Sequence, residues 1–162
     1  MQSKPIKLSG FSVIEMMVVM AILVILAMIA VPSSLGRILK EQVAATVPWA
    51  DAAKEPIASN WKNNKIMPAD NAAAGLPSAD KMVSNFVTSL VVENGAIHMT
   101  LGNKAHPKLQ GKVLSIRPAV IEESTIVPVA WICGHAKAPT PMAVKGQDKT
   151  TIPDEYLPQS CR

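Results

Sequence analysis

Charge and aromatic rings are both scarce in this 162-residue chain: 17% of residues are charged and 4% aromatic, against 49% hydrophobic. Intrinsic disorder needs the opposite balance, low hydrophobicity with high net charge, and is excluded. Cysteine is limited to Cys133 and Cys161, which allows at most one internal disulfide. Catalytic signatures are missing too. There is no Gly-x-Ser-x-Gly and no phosphate-binding glycine loop. His98, His106 and His135 show no paired metal-ligand spacing. Glu122 and Glu123 are adjacent, so on a strand or turn they face apart, as in a solvated loop. No enzyme reading survives, no cofactor or metal is expected, and no internal repeat is present. The formal net charge is only +4, and Lys4 and Lys7 in the first ten residues supply half of it. That excess is too small to argue a nucleic-acid partner from net charge alone.

What is abundant is apolar, and it is unevenly placed. Residues 11–31 hold 19 apolar residues out of 21, interrupted only by Ser12 and Glu15. The remainder has an ordinary globular composition. This rules out a multi-pass membrane protein and describes one greasy segment joined to one modest soluble domain. At ~1.5 Å per residue the run reaches roughly 31 Å, enough to span hydrocarbon. A secretory signal peptide places small residues after its apolar core, whereas here Ser9 and Gly10 precede the run. Lys4 and Lys7 on the short leading side hold that end in the cytoplasm, which predicts a single-span anchor. Glu15 is costly in such a span. Three accounts stand: a helix-start capping box with Ser12, a side chain snorkelling to the interface, or a dedicated partner for the carboxylate.

Helical spacing continues beyond the run. Leu35, Leu39, Val43, Val47, Ala50, Ala53, Ile57 and Trp61 recur every three or four residues on one face, with charged residues largely between them. Pro32, Pro48 and Pro56 mark expected kinks or breaks. Residues 62–80 read as a loop. Phe86 to Val92 and Ala96 to Leu101 form a predicted hairpin about Asn94-Gly95. Alternation in the second strand puts His98 on an exposed face. Lys112 to Ile121 and Ile126 to Cys133 are two further strands, with Pro118 and Pro128 demoting parts of them to edges or bulges. The order predicts an α+β fold: a long N-terminal helix, its apolar half protruding and its amphipathic half packed on a four-stranded antiparallel sheet. In an exported domain a disulfide is the leading reading for Cys133 and Cys161, ahead of free thiols or a metal site with His135. The proline-rich stretch 135–160 lacks periodicity and needs such a staple.

The stretch Gly10-Phe11-Ser12-Val13-Ile14-Glu15 resembles the type IV pilin signature, a Gly-Phe junction with Glu five residues beyond the glycine. The run Ala21 to Pro32 is similar to a pilin helix, proline included. The ending Trp131-Ile132-Cys133-Gly134 … Ser160-Cys161-Arg162 resembles type IVa pilins, whose C-terminal disulfide loop closes similarly. Related secretion pseudopilins commonly lack that loop. The resemblance implies the pilin fold, with 1–10 a removed leader, 11–32 the membrane and filament-core half of the helix, and 33–162 the head including the loop 133–161. It implies cleavage by a prepilin peptidase between Gly10 and Phe11 and methylation of the Phe11 amine. It assigns Glu15 to subunit assembly, neutralising the amine of a neighbouring subunit; pairing two charges offsets part of the cost of each. The implied partners are identical pilin subunits, the peptidase and methylase, and the inner-membrane assembly machinery. The chain then resides in the bacterial inner membrane before assembly and in an extracellular pilus after it, serving adhesion, twitching motility or DNA uptake.

Two other readings stand beside this one: a minor pilin that initiates assembly or binds DNA, and an anchored binding protein that never polymerises. Between residues 100 and 149, Lys104, Lys108, Lys112, Arg117, Lys137, Lys145 and Lys149 face only Glu122, Glu123 and Asp148. Competence-type pilins bind DNA through a basic stripe, so the resemblance makes these six lysines candidate phosphate contacts. The competing reading is scattered solubilising lysines, because no aromatic residue is interleaved with them.

Overall fold

The computed structural model describes residues 10–162, without the side chains of 30–34. Most of the expected leader, with Lys4 and Lys7, lies outside the described residues, as does the Pro32 side chain. The chain divides into two compact units, one ending at Leu35 and the other Gly36–Arg162, and each is described by itself.

Helix α1 runs over Val13–Thr46, unbroken at position 32. Every side chain from Gly10 to Ile29 is exposed, the pattern of an element with no core of its own to enter. Val13–Ile29 covers roughly 25 Å. Among the described residues no helix is long and apolar enough to cross a membrane, since the described side chains of the apolar run stop at Ile29.

In the second unit the amphipathic face behaves as its spacing requires. Leu39, Val43, Ala50, Ala53, Ile57 and Trp61 are buried, each large aliphatic one contributing about 1.5–3 kcal/mol. The helix is not continuous. Pro48 removes an N–H, and Val47–Ala50 tightens to a 3-10 turn before α2, Asp51–Asn64. Pro56 is accommodated inside α2 without a break, and Lys65, in the left-handed region at φ 55°, ends that helix.

Within Gly36–Arg162, the end of α1 and α2 pack on an antiparallel sheet. Its strands are β1 Val87–Glu93, β2 Ala96–Leu101, β3 Val113–Val120 and β4 Ala130–Cys133, in that spatial order. The β1–β2 connection is the expected one: Asn94 and Gly95 have φ of 50° and 82°, the left-handed pair that a two-residue hairpin turn demands. A two-residue strand, β5 Ala143–Val144, adds to β3 on the edge opposite β4, since Ala119 pairs with both Ala130 and Val144.

Three expectations change. Pro118 is not an edge residue: it pairs with Trp131 inside β3, and its carbonyl accepts the Lys145 N–H at 2.8 Å. The fourth strand begins at Ala130 rather than Ile126, because 121–129 makes turns and bends. His98 is buried, 6% exposed, because both faces of β2 are covered. The second cover is the C-terminal loop, which crosses β3: the Lys149 N–H donates to Ser115 Oγ at 2.9 Å and the Thr151 N–H to the Val113 carbonyl at 3.0 Å.

Candidate functional site

The chemistry-bearing residues named from the sequence fall in three places. The first is the start of α1. Gly10 and Phe11 are exposed, Phe11 at 75%. Glu15 and Met16 donate their N–H groups to the Ser12 carbonyl at 3.1 and 3.2 Å, opening the helix. The Ser12 N–H reaches back to Glu15 Oε2 at 3.4 Å, one arm of a capping box. That long bond is the one hydrogen bond of the Glu15 carboxylate among the described residues, where it also enters no ion pair, so a single neutral donor is all that meets its charge there.

The second place is the stapled loop. Cys133 and Cys161 form a disulfide with Cα atoms 4.4 Å apart. Gly134 follows at φ +53°, and a Cβ there would run into the Cys161 carbonyl oxygen, so the turn out of the disulfide tolerates only glycine. Inside the loop, Asp148 gathers three elements. His135 Nδ1 lies 2.8 Å from its Oδ2, Arg117 Nη2 of β3 lies 3.7 Å from the same oxygen, and the Thr150 N–H donates to Oδ1 at 2.9 Å. Partial burial pushes the Asp148 carboxyl up. The hydrogen bonds from Thr150 and His135 and the Arg117 charge outweigh it and hold the group below its ordinary value. Arg117 Nη2 also donates to the Gly134 carbonyl at 2.8 Å, tying the sheet to the disulfide. Ile152, Leu157 and Cys161 are buried, so the loop forms part of the core.

The third place is the basic surface, which the fold divides. Lys145 pairs with Glu122 and Lys149 with Glu93, and each lysine lowers its partner's carboxyl pKa through the hydrogen bond and the charge. Lys104, Lys108, Lys112 and Lys137 enter no ion pair among the described residues. Three of these, Lys104, Lys108 and Lys112, share the single β2–β3 connection.

One residue that sequence reasoning passed over is Asn71. It is buried in the α2–β1 connection. Its Nδ2 donates to the Leu90 and Pro77 carbonyls at 2.9 and 3.0 Å, and its Oδ1 accepts the Val92 N–H at 2.6 Å. The Asn94 and Gly95 N–H groups donate to the Ala69 and Pro68 carbonyls. Together these contacts close the edge of β1 that β2 leaves open. The turn-rich composition of the segment signalled a loop but not its role.

Comparison with known proteins accords with both ends of this description. Residues 40–162 match the family model for pilin, described as a bacterial filament. The chain belongs to the pilin family. Residues 7–31 match the prokaryotic N-terminal methylation motif. The chain is 31% identical over 159 residues to a type IV major pilin protein, PilE, of Neisseria gonorrhoeae, covering 94% of this chain and 93% of that one. It is 30% identical over 156 residues to fimbrial protein EcpC of Eikenella corrodens, covering 94% and 90%. It is 26% identical over 152 residues to a fimbrial protein of Moraxella nonliquefaciens, covering 93% and 94%. As a pilin, the chain is a structural protein, and its fold is the pilin fold.

Proposed function

We propose that this pilin is the repeating subunit of a type IV pilus, polymerised through α1. The observation that carries the reading is the solvent-facing apolar surface of Val13–Ile29 interrupted by one carboxylate, Glu15. A surface of that size does not stay in water; it is covered by lipid or by identical helices. In lipid, the carboxylate needs a positive partner, and none of the described residues brings one near. Cleavage between Gly10 and Phe11 frees an amine at Phe11, and that amine on a neighbouring subunit is the partner we assign to Glu15. The run from Phe11 holds the precursor in the inner membrane before assembly, and the pilus serves adhesion, twitching motility or DNA uptake at the cell surface.

The test is Glu15→Ala expressed in the piliated bacterium. The precursor should insert in the membrane and be processed at wild-type abundance, while sheared filaments should fall by at least tenfold. Normal filament yield removes the assembly role. Mass spectrometry of sheared wild-type filaments should find this chain starting at a methylated Phe11 and two mass units light from its disulfide. A second reading rests on the three lysines of the β2–β3 connection that have no ion-pair partner among the described residues. If they contact phosphates, sheared filaments bind duplex DNA with a steep salt dependence, and Lys104, Lys108 and Lys112 changed together to Ala reduce its slope. Absence of binding in low salt sinks it.

A further inference from the structure

Residues 149–151 of the C-terminal loop lie across β3 without a buried side chain. Polar contacts hold them there. The Lys149 N–H donates to Ser115 Oγ at 2.9 Å and the Thr151 N–H to the Val113 carbonyl at 3.0 Å. In return the Ser115 and Val113 N–H groups donate to Thr150 Oγ1 and Thr151 Oγ1 at 3.1 and 2.8 Å. Lys149 adds its ion pair with Glu93. Both ends of the segment are fixed: Asp148 is tied to His135 and Arg117, and Ile152 is buried. A stretch between two anchors with no apolar burial of its own belongs to the low-stability parts of a fold, which open while the rest stays closed.

This segment covers His98, whose Nδ1 meets Ser115 Oγ at 2.9 Å and whose Nε2 is buried with no hydrogen-bond partner among the described residues. Because Ser115 Oγ accepts the Lys149 N–H, its own proton goes to Nδ1, and the neutral ring carries its proton on Nε2. A second ring proton, at Nδ1, displaces the serine proton from its one acceptor among the described residues. It also creates a charge that burial and Lys149 oppose and that Glu93 and Asp148 favour, Glu93 Oε2 lying 3.9 Å from Nε2. Glu93 faces the ring from β1, and Asp148 and Lys149 face it from the loop. On β3 the neighbour is Ser115, and Arg117 farther along is engaged by Asp148 and the Gly134 carbonyl.

Lifting 149–151 sorts these influences. It admits water to the ring and carries Lys149 away, which removes both that oppose the charge. Glu93 on β1 and Asp148 at its anchor stay behind, and they are the two that favour it. We propose that residues 149–151 form a proton-operated strap, released from β3 when His98 becomes an imidazolium that takes the place of Lys149 beside Glu93. The device works within one folded copy and goes beyond the filament reading: acid changes the surface of the head without unfolding it. With the strap open, the ring has its ordinary value near 6.5; with it closed, the value is lower. Protonation therefore favours opening only below about pH 6.5, by up to about tenfold in the opening equilibrium per pH unit.

The experiment is amide hydrogen exchange on the full-length protein in detergent at pH 7.5 and 5.5, each rate corrected for the intrinsic rate at that pH. Protection of the Lys149 and Thr151 N–H groups should fall about five- to tenfold at pH 5.5. At both pH values it should stay below that of the amides bonded between β2 and β3. His98→Gln should abolish the fall, whereas His135→Gln, which alters the other ring beside Asp148, should keep it. A fall that persists in His98→Gln overturns the proposal. So do strap amides as well protected as the sheet amides, since they then exchange only by unfolding of the whole unit. Where His98→Gln does not fold, Lys149 decides. Lys149→Ala keeps the N–H but removes the charge that opposes the closed imidazolium, so the fall at Thr151 should shrink by about half or more, and Lys149→Arg should keep it. An undiminished fall in Lys149→Ala overturns the proposal.

Discussion

Ser115 Oγ lies 2.9 Å from His98 Nδ1, in the buried contact between β3 and β2. The same oxygen accepts the Lys149 N–H at 2.9 Å, and the Ser115 N–H donates to Thr150 Oγ1 at 3.1 Å. One fully buried serine thus joins two strands to the disulfide-bounded loop.

Removing that hydroxyl should be costly for its size. In Ser115→Ala, the His98 ring nitrogen and the Lys149 N–H both lose their partner, a penalty of about 1–3 kcal/mol. Lys149→Ala keeps the N–H and removes only an exposed ion pair with Glu93, so it should cost under about 1 kcal/mol. Thermal unfolding of the full-length protein in detergent distinguishes the two; equal losses contradict the role given to Ser115.

His98 makes this region sensitive to acid. Burial, and then the Lys149 charge, push its pKa below the ordinary 6.5, with Glu93 and Asp148 opposing more weakly. The folded chain therefore holds the ring neutral while the unfolded chain protonates it below about pH 6.5. The stability is fully present above that pH and is lost as pH falls, at up to about 1.4 kcal/mol per pH unit. The lowered carboxyls of Asp148, Glu93 and Glu122 act in the same direction only below their own ordinary values near 4. Comparing unfolding at pH 7.5 and 5.5 isolates the histidine: wild type should lose stability and His98→Gln should lose clearly less. Parallel losses in both proteins contradict this account.

What was readable in advance was local. The face Leu39 to Trp61 follows from a period of three or four residues, and the Asn94-Gly95 turn from a dipeptide, so both are as expected. The burial of His98 was not readable, because alternation describes one covered face. Its second cover arrives some fifty residues later in a segment without periodicity. Pro48 carried a signal for a break, and the 3-10 turn lies there; Pro56 carried the same signal and the helix absorbs it. Part of the basic set is paired for a related reason: the partners of Lys145 and Lys149 are 23 and 56 residues away in sequence.

Asn71 is the sharpest test of the β1 edge. Its amide donates to two carbonyls and accepts one N–H, a set that neither Ala nor Asp reproduces. Asn71→Ala should cost about 2–4 kcal/mol by leaving buried groups of β1 unpaired. Asn71→Asp keeps the acceptor for Val92 but turns a carboxylate toward the Leu90 and Pro77 carbonyls, and should be at least as damaging at neutral pH. Because an open strand edge templates association, both variants should also aggregate earlier on heating. Light scattering recorded beside the unfolding curve checks this, and unaltered curves remove Asn71 from the edge.

The disulfide depends on the residue that follows it. Gly134 sits at φ +53° against the Cys161 carbonyl, which accepts the His135 N–H at 3.0 Å, while its own carbonyl accepts Arg117 Nη2 at 2.8 Å. A side chain at 134 adds backbone strain and a collision with main-chain atoms that have no room to turn aside, so Gly134→Ala should cost more than about 2 kcal/mol. Cys133→Ser with Cys161→Ser should cost about 2–5 kcal/mol by releasing the loop. The effects should not add, because both act on the same closure and a released loop no longer presses residue 134 onto Cys161. The triple variant should therefore unfold close to the double cysteine variant. A fully additive triple variant means that Gly134 acts through something other than the disulfide turn.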